Sequence, residues 1–170
     1  MDQRRDDMHA PDLWAPTLQP AMPSLESPGA QWLASVMNPP SAALADWADS
    51  PDHLAEIPLG LRFDVLRVSE GLAVPVLDDL ANSDVTLGPV LHCQRRRCLE
   101  FLVPVGTAAS WAPLRGTVCA GRGGALCCPA PGATSRGRTW LYPPLGTGVL
   151  TDPGLLRARL EPLTMRGYRL

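Results

Sequence analysis

The sequence contains no lysine, so all 15 of its basic residues are arginine. Isoleucine occurs once, at Ile57, whereas there are 19 prolines and 15 glycines. Arginine, alanine, glycine and proline have GC-rich codons, and lysine and isoleucine do not. The skew therefore reflects the base composition of the gene and says nothing about activity.

Long apolar segments are also missing. No stretch approaches the ~18 uninterrupted apolar residues of a membrane span, and the N-terminus, MDQRRDDMHAPDLW, lacks the apolar core of a signal peptide. These absences predict a cytoplasmic protein with no membrane partner. The five cysteines, an odd number, then favour reduced thiols or a metal site over a disulfide framework.

What is present is enough for one domain, since the chain has 170 residues of which 45% are hydrophobic. The net charge is only −2, but it is unevenly distributed. Residues 1–91 contain 14 acidic residues and 4 arginines, whereas residues 92–170 contain 11 arginines and 3 acidic residues. Such a division either presents a positive face to phosphates or lets two complementary halves pack together, and both interpretations stay open.

The first 28 residues differ in composition from the rest. They mix charges with prolines and show no sustained apolar period, which is typical of disorder. We therefore predict a disordered proline-rich tail over residues 1–28 and a single domain over residues 29–170.

Apolar periodicity in the second region predicts an α+β order of elements. Helices are expected near residues 30–37, from Ser41, near 72–80, near 108–111 and from Asp152–Pro153. Strands are expected over residues 61–68, 89–92, 98–103 and 139–142. The strands at 89–92 and 98–103 are predicted to form a hairpin, and a second, glycine-rich hairpin is predicted to join 118–119 to 126–127.

One carboxylate is a candidate metal ligand. Asp64 lies on the most convincing strand, but two-metal chemistry needs a second carboxylate on the same face, and the residue at that spacing is Leu66. Asp64 is thus a candidate catalytic and divalent-metal residue without a partner on its own strand.

Arginines in the second half of the chain are candidate phosphate ligands. Three of them are consecutive and fall at the predicted hairpin turn, where guanidinium groups can reach a nucleic-acid backbone. The alternative is a charged turn that keeps the hairpin from aggregating. The full candidate set is Arg95, Arg96, Arg97, Arg122, Arg136 and Arg138.

The cysteines permit a zinc site, because one member of each group could contribute a thiolate. The candidates are Cys93, Cys98, Cys119 and Cys127. None of the spacings is a tight Cys-x2-Cys knuckle, and apolar strands also use free cysteine as a small core residue. The core interpretation is favoured over zinc.

Several segments together resemble a known family: WLAS (32–35), IPLGLRFDVLRV (57–68), VLDDL (76–80), GPVL (88–91), RRRCLEFLVP (95–104) and RTWLYPP (138–144). They are similar to short actinobacterial proteins related to the N-terminal domain of bifunctional DNA primase/polymerases, in the archaeo-eukaryotic primase superfamily. The resemblance extends from about Gly29 to Leu163.

The resemblance implies an RRM-like α+β core with a mixed or antiparallel sheet and flanking helices. It also implies Mg²⁺ or Mn²⁺ held by an Asp-x-Asp strand, and a histidine on a later strand that contacts the nucleotide. Asp64 matches the first acidic position, but Leu66 occupies the second and Cys98 stands near the histidine position. The implied protein keeps the fold with a degenerate catalytic site.

Three functions remain as hypotheses. The first is a catalytically degenerate primase/polymerase-like domain that binds DNA, RNA or nucleotides in an accessory role. The second is a protein-interaction module with no nucleic-acid binding. The third is an active metal-dependent nucleotidyltransferase that combines Asp64 with Glu70 or Glu100.

Overall fold

The computed structural model describes residues 25–50 and 52–166 of the chain. The helices in these residues are α1 (Pro28–Ala34), α2 (Ser41–Asp49), α3 (Glu70–Ala81), α4 (Thr107–Ser110) and α5 (Pro153–Arg166). The strands are β1 (Ala55–Pro58), β2 (Asp64–Ser69), β3 (Val90–Cys93), β4 (Cys98–Val103), β5 (Thr117–Ala120), β6 (Ala125–Cys128), β7 (Thr134–Ser135) and β8 (Arg138–Tyr142).

Six strands form one antiparallel sheet in the order β5-β2-β4-β3-β8-β7. The chain order β2-α3-β3-β4-α4-β5, with β2 and β4 in the middle, is the βαββαβ arrangement of ferredoxin-like and RRM-like domains. The predicted α+β class with an antiparallel sheet and flanking helices is therefore confirmed.

The central strand β4 explains why the sheet has two covered faces. All six of its residues are buried, so its side chains alternate between two separate apolar clusters. On one face, α3 packs Ala73, Val76 and Leu80 at helical spacing against the sheet, together with α5. This face is called the α3/α5 face below.

The opposite face carries Val65, Leu102 and Trp140 and is covered by α1, α2 and a two-stranded sheet of β1 and β6. Hydrogen bonds from two tryptophan indole groups hold this second layer in place. Trp47 on α2 donates to the Cys128 carbonyl at 3.1 Å, and Trp140 on β8 donates to the Pro129 carbonyl at 3.0 Å. Buried backbone carbonyls at the end of β6 thus have partners although the small sheet has only two strands.

The predicted hairpin of β3 and β4 is confirmed, but the glycine-rich hairpin is wrong. β5 pairs with β2, and β6 pairs with β1 in the other sheet. The turn itself exists, since Gly124 N–H donates to the Gly121 carbonyl at 2.9 Å. The strand after the turn, β6, runs alongside β1 and buries Leu126 in the second layer. The apolar pattern of the sequence therefore located the two strands but did not identify the strands that they pair with.

Two boundaries also differ from expectation. β2 begins at Asp64, so residues 61–63 precede the strand that was predicted over residues 61–68. Residues 1–24 of the predicted tail lie outside the described residues, but Pro28 is the first residue of α1 and Ser27 caps that helix through its hydroxyl. Leu25 also packs against the apolar cluster of the second layer. No helix in the described part of the chain has the length and apolar character needed to cross a bilayer.

Gly88, between α3 and β3, packs closely against the segment before α5, and a substitution there tests this contact. A Cβ atom on Gly88 would lie 2.7 Å from Leu150 Cα and 2.8 Å from Thr151 N, and backbone atoms cannot move aside as a flexible side chain can. We expect Gly88→Ala to lower the free energy of unfolding by about 1–3 kcal/mol. Urea denaturation followed by tryptophan fluorescence measures this.

Gly71 in the first turn of α3 is the matched control, because an added Cβ there meets nothing within 4 Å. Gly71→Ala should leave stability unchanged or raise it by up to about 1 kcal/mol. Equal urea midpoints for both variants would contradict the packing described here.

Candidate functional site

Two turns lie side by side at one end of the large sheet and carry four exposed arginines. The β3–β4 turn contributes Arg95, Arg96 and Arg97, and the β7–β8 turn contributes Arg136. The turns are joined by a backbone hydrogen bond, in which Gln94 N–H donates to the Gly137 carbonyl at 2.8 Å. We call these four arginines the arginine edge.

The pairing of β8 with both β3 and β7 produces this arrangement. Arg138 on β8 is opposite Cys93 on one side and Ser135 on the other, so the two turns leave the sheet at the same level. Arg97 and Arg136 both adopt the left-handed conformation, with φ of 50° and 49°. Each turn is therefore fixed by the sheet beneath it.

The arginine edge has few counter-charges. Arg97 Nε lies 3.7 Å from Glu70 Oε2 while its side chain remains 84% exposed. Among the described residues, no ion pair is formed by Arg95, Arg96 or Arg136. The edge is thus a positively charged surface that is open to solvent.

A buried carboxylate lies just inside the edge. Glu100 on β4 is fully buried, and each of its oxygens accepts a hydrogen bond from an arginine. Arg67 Nε on β2 donates to Oε1 at 2.8 Å, and Arg138 Nη1 on β8 donates to Oε2 at 2.9 Å. We call this arrangement the Glu100 clamp, since it ties together strands β2, β4 and β8.

Electrostatics favour the clamp. Burial alone would lower the pKa of Arg138, but the Glu100 carboxylate, together with Cys93 and Cys127, more than offsets this effect, so that pKa lies above its ordinary value. Two guanidinium groups on one carboxylate leave a net positive charge. The clamp therefore adds to the positive potential of the arginine edge instead of cancelling it.

The sheet itself does not offer the usual RNA platform of an RRM. RRM domains stack bases on aromatic side chains of the two central strands. On the corresponding face, β2 and β4 carry Val65, Arg67, Glu100 and Leu102, and the second layer covers Val65 and Leu102. The second layer therefore occupies the face on which an RRM binds RNA.

Asp64 is used as a helix cap. Its side chain is 2% exposed, and Oδ2 accepts hydrogen bonds from Gly106 N–H at 3.0 Å and Ala108 N–H at 2.9 Å, at the start of α4. Oδ1 is buried without a hydrogen-bond partner, and Gly121 leaves room beside it. The described residues contain no group of three or more His, Cys, Asp or Glu side chains placed to hold a metal.

The other residues that the primase resemblance points to do not complete a metal site at Asp64. Leu66, the neighbour of Asp64 on the same face of β2, is fully buried in the apolar cluster of the α3/α5 face and offers no ligand. Asp64 pairs with Val103 and Cys98 pairs with Ser69, so Asp64 and Cys98 are at opposite ends of the β2–β4 pair and on opposite faces of the sheet. Because a six-residue strand spans about 17 Å, Asp64 and Cys98 are separated by about that distance along the strands.

The alternative acidic partners are no closer. Glu70 begins α3 after the far end of β2, and Glu100 is enclosed by its two arginines. The arrangement around Asp64 does not fit a two-metal site for Mg²⁺ or Mn²⁺.

The four cysteines that were candidate zinc ligands lie in three different parts of the fold. Cys93 and Cys98 face each other across the β3–β4 hairpin, Cys119 packs with the α3/α5 cluster, and Cys127 is in the small sheet. Burial, followed by the Glu100 charge, raises the pKa of Cys98 to about 11, and burial with Asp64 raises the pKa of Cys119 to about 11. In the described part of the chain, no three of these thiols lie together with the spacing that a metal ion needs.

The structure separates the six predicted phosphate ligands into three environments. Four of them form the arginine edge. Arg138 is bonded to Glu100, and its side chain is only 11% exposed. Arg122 is exposed in the turn after β5, which is at the Asp64 end of the sheet and so opposite the edge.

Sequence reasoning missed the Glu100 clamp. A signal for it exists, because Glu100 is the single charged residue in the strand CLEFLV and Arg67 interrupts the apolar run of β2. A lone charge in a buried strand requires a partner of opposite sign. That rule predicts an arginine partner but cannot choose among the arginines of this chain.

We expect Glu100→Ala to lower the free energy of unfolding by about 3–5 kcal/mol, since it leaves two partly buried guanidinium groups without their carboxylate. Arg138→Ala should also be strongly destabilising, because one Glu100 oxygen is then left without a partner. Arg136→Ala, two residues away and exposed, is the matched control and should change stability by less than about 0.5 kcal/mol. Chemical denaturation in which Arg138→Ala is as mild as Arg136→Ala would contradict the clamp.

Asp64→Ala should lower the free energy of unfolding by about 1–3 kcal/mol, because two amide groups at the start of α4 are left without their acceptor. The cost should be the same with and without Mn²⁺ if Asp64 acts only as a cap. Thermal unfolding of both proteins in EDTA and in Mn²⁺ measures it. A midpoint that rises with Mn²⁺ in the wild type and not in Asp64→Ala would instead identify a metal site.

No protein-family model matches this chain, and no curated protein or solved structure shows significant similarity to it.

Proposed function

We propose that this protein is a non-catalytic nucleic-acid-binding domain that holds the phosphate backbone at the arginine edge. The observation that carries the proposal is the placement of four exposed arginines on two hydrogen-bonded turns at one end of a rigid sheet. Arginine is suited to this task because its planar guanidinium group donates two parallel hydrogen bonds to a phosphate.

Preorganisation supports the proposal. The turns are anchored by the β3–β8 pairing and by the clamp beneath them, so that binding orders side chains but not backbone. Backbone contacts of this kind supply affinity without base specificity. We therefore expect binding to several nucleic acids with a steep dependence on salt.

An accessory role follows from the state of Asp64. The carboxylate that corresponds to the first metal ligand of primase/polymerase domains caps α4, and it is at the end of the sheet opposite the arginine edge. The proposed domain would retain or present a nucleic acid to another factor. Its relationship to the primase/polymerase family stays a hypothesis that rests on the sequence motifs and is compatible with the βαββαβ order.

A protein-interaction module is the second candidate, and a specific observation favours it. An open apolar groove of about 480 Å³ is lined by Trp32, Tyr142 and several prolines, on a part of the surface away from the arginine edge. The two candidates are compatible, because the groove and the edge share no residue. An active nucleotidyltransferase has no comparable support.

The proposal predicts how affinity depends on salt. The double variant Arg96→Ser/Arg136→Ser should bind fluorescein-labelled duplex DNA, single-stranded DNA or RNA more weakly than wild type. The slope of log K against log[salt] should fall by about 0.7–0.9 for each phosphate that the variant no longer neutralises. Fluorescence anisotropy across a salt series measures both quantities.

The matched control is Arg62→Ser/Arg122→Ser, which removes the same charge from exposed positions at the opposite end of the sheet. It should keep the wild-type slope. Equal weakening in the two double variants would show that net charge acts without a defined site, and no binding by the wild type at low salt would refute the proposal.

A further inference from the structure

A groove on the molecule is built for an extended apolar ligand. Its walls are Trp32, Tyr142 and the segments 86–89 and 143–149, which include Pro89, Pro143 and Pro144. The volume of about 480 Å³ is within the range of small-ligand and peptide sites. Leu145 is 74% exposed and Val149 is 40% exposed at its rim, so apolar surface remains uncovered.

Two aromatic side chains of the groove carry hydrogen-bond donors that the fold does not use. Trp47, Trp111 and Trp140 each donate the indole N–H to an oxygen in the fold. The Trp32 indole N–H and the Tyr142 hydroxyl, both on half-buried side chains, have no hydrogen-bond partner among the described residues. The groove thus offers two aromatic side chains, each with a donor that the fold does not use.

Aromatic grooves with such donors are typical sites for proline-rich segments. A polyproline II segment leaves its backbone carbonyls unpaired, and little conformational entropy is given up on binding because proline fixes φ. The Trp32 N–H and the Tyr142 hydroxyl can donate to those carbonyls while the rings pack on the prolines.

The chain enters the described fold at the wall of this groove. Pro28 packs against Gly146, where an added Cβ would lie 2.6 Å from Pro28 Cβ, and a Cβ on Gly29 would collide with the Pro144 carbonyl. The residues before them in the sequence include Trp14, Leu18 and the prolines at 11, 16, 20 and 23. A proline-rich segment is therefore tethered next to the groove.

We propose that a short proline-containing part of residues 11–23 of this chain binds in the groove of Trp32 and Tyr142. The tether raises the local concentration of the segment to about the millimolar range, so even weak contacts fill the groove. The interaction is independent of the arginine edge and covers the rim residues Leu145 and Val149.

Site-specific photo-cross-linking of the full-length chain tests this inference. Trp14 is replaced by the photoreactive amino acid benzoylphenylalanine, the protein is irradiated at several dilutions, and cross-linked peptides are identified by mass spectrometry. We expect cross-links within one chain to residues 142–149 and Trp32, with a yield that does not change on dilution. Benzoylphenylalanine in place of Gln3, outside the proline-rich segment, is the control for random contact.

A rim substitution then probes the contact surface. Leu145→Ser should weaken docking and lower the cross-linking yield by up to about tenfold, because it removes one large apolar side chain from the interface. Leu61→Ser, which changes another exposed leucine outside the groove, should leave the yield unchanged. Cross-links between two chains would assign the groove to a second copy, and a yield no higher than that of the Gln3 control would leave it to an external partner. Either result would overturn the inference.

Discussion

One buried carboxylate joins the strands that carry the arginine edge. Glu100 lies in the central strand, and its two oxygens are bonded to Arg67 and Arg138 from strands on either side. An unpaired buried charge would be strongly destabilising, so the register of β2, β4 and β8 has to bring these three residues together. The same register aligns the β3–β4 and β7–β8 turns, and it thereby creates the arginine edge.

RRM domains, which have the same βαββαβ order, bind RNA on the open face of the sheet. In this protein that face is covered. α1, α2 and the small sheet pack on Val65 and Leu102, where base-stacking residues would otherwise be accessible. At the far end of the sheet, Asp64 caps α4. The arginine edge and Asp64 are thus separated by the length of β4.

The local pattern of apolar and charged residues predicted those elements that depend on residues close together in the sequence. The β3–β4 hairpin and its arginine turn followed from two apolar runs around three charges, and α2 and α5 from apolar spacing after Ser41 and Asp152–Pro153. Long-range pairing could not be predicted in this way. The amide groups that donate to Asp64 lie more than 40 residues later in the chain. Likewise, Arg138 bonds to Glu100 and Arg136 stays exposed because of the register in which β8 pairs with β3. The error over β5 and β6 has the same origin, because periodicity assigns a face to a strand but not its neighbour.

The most direct test of the account is an NMR titration of the isotopically labelled full-length protein with a short DNA duplex. Nucleic-acid binding at the arginine edge predicts that amide shifts concentrate in residues 94–97 and 135–138, and that they reverse when salt is added. Amides around Asp64 and Gly121, at the other end of the sheet, should not move. Shifts centred on Asp64, or on the groove of Trp32 and Tyr142 with none at the two turns, would contradict the assignment of the arginine edge as the nucleic-acid site.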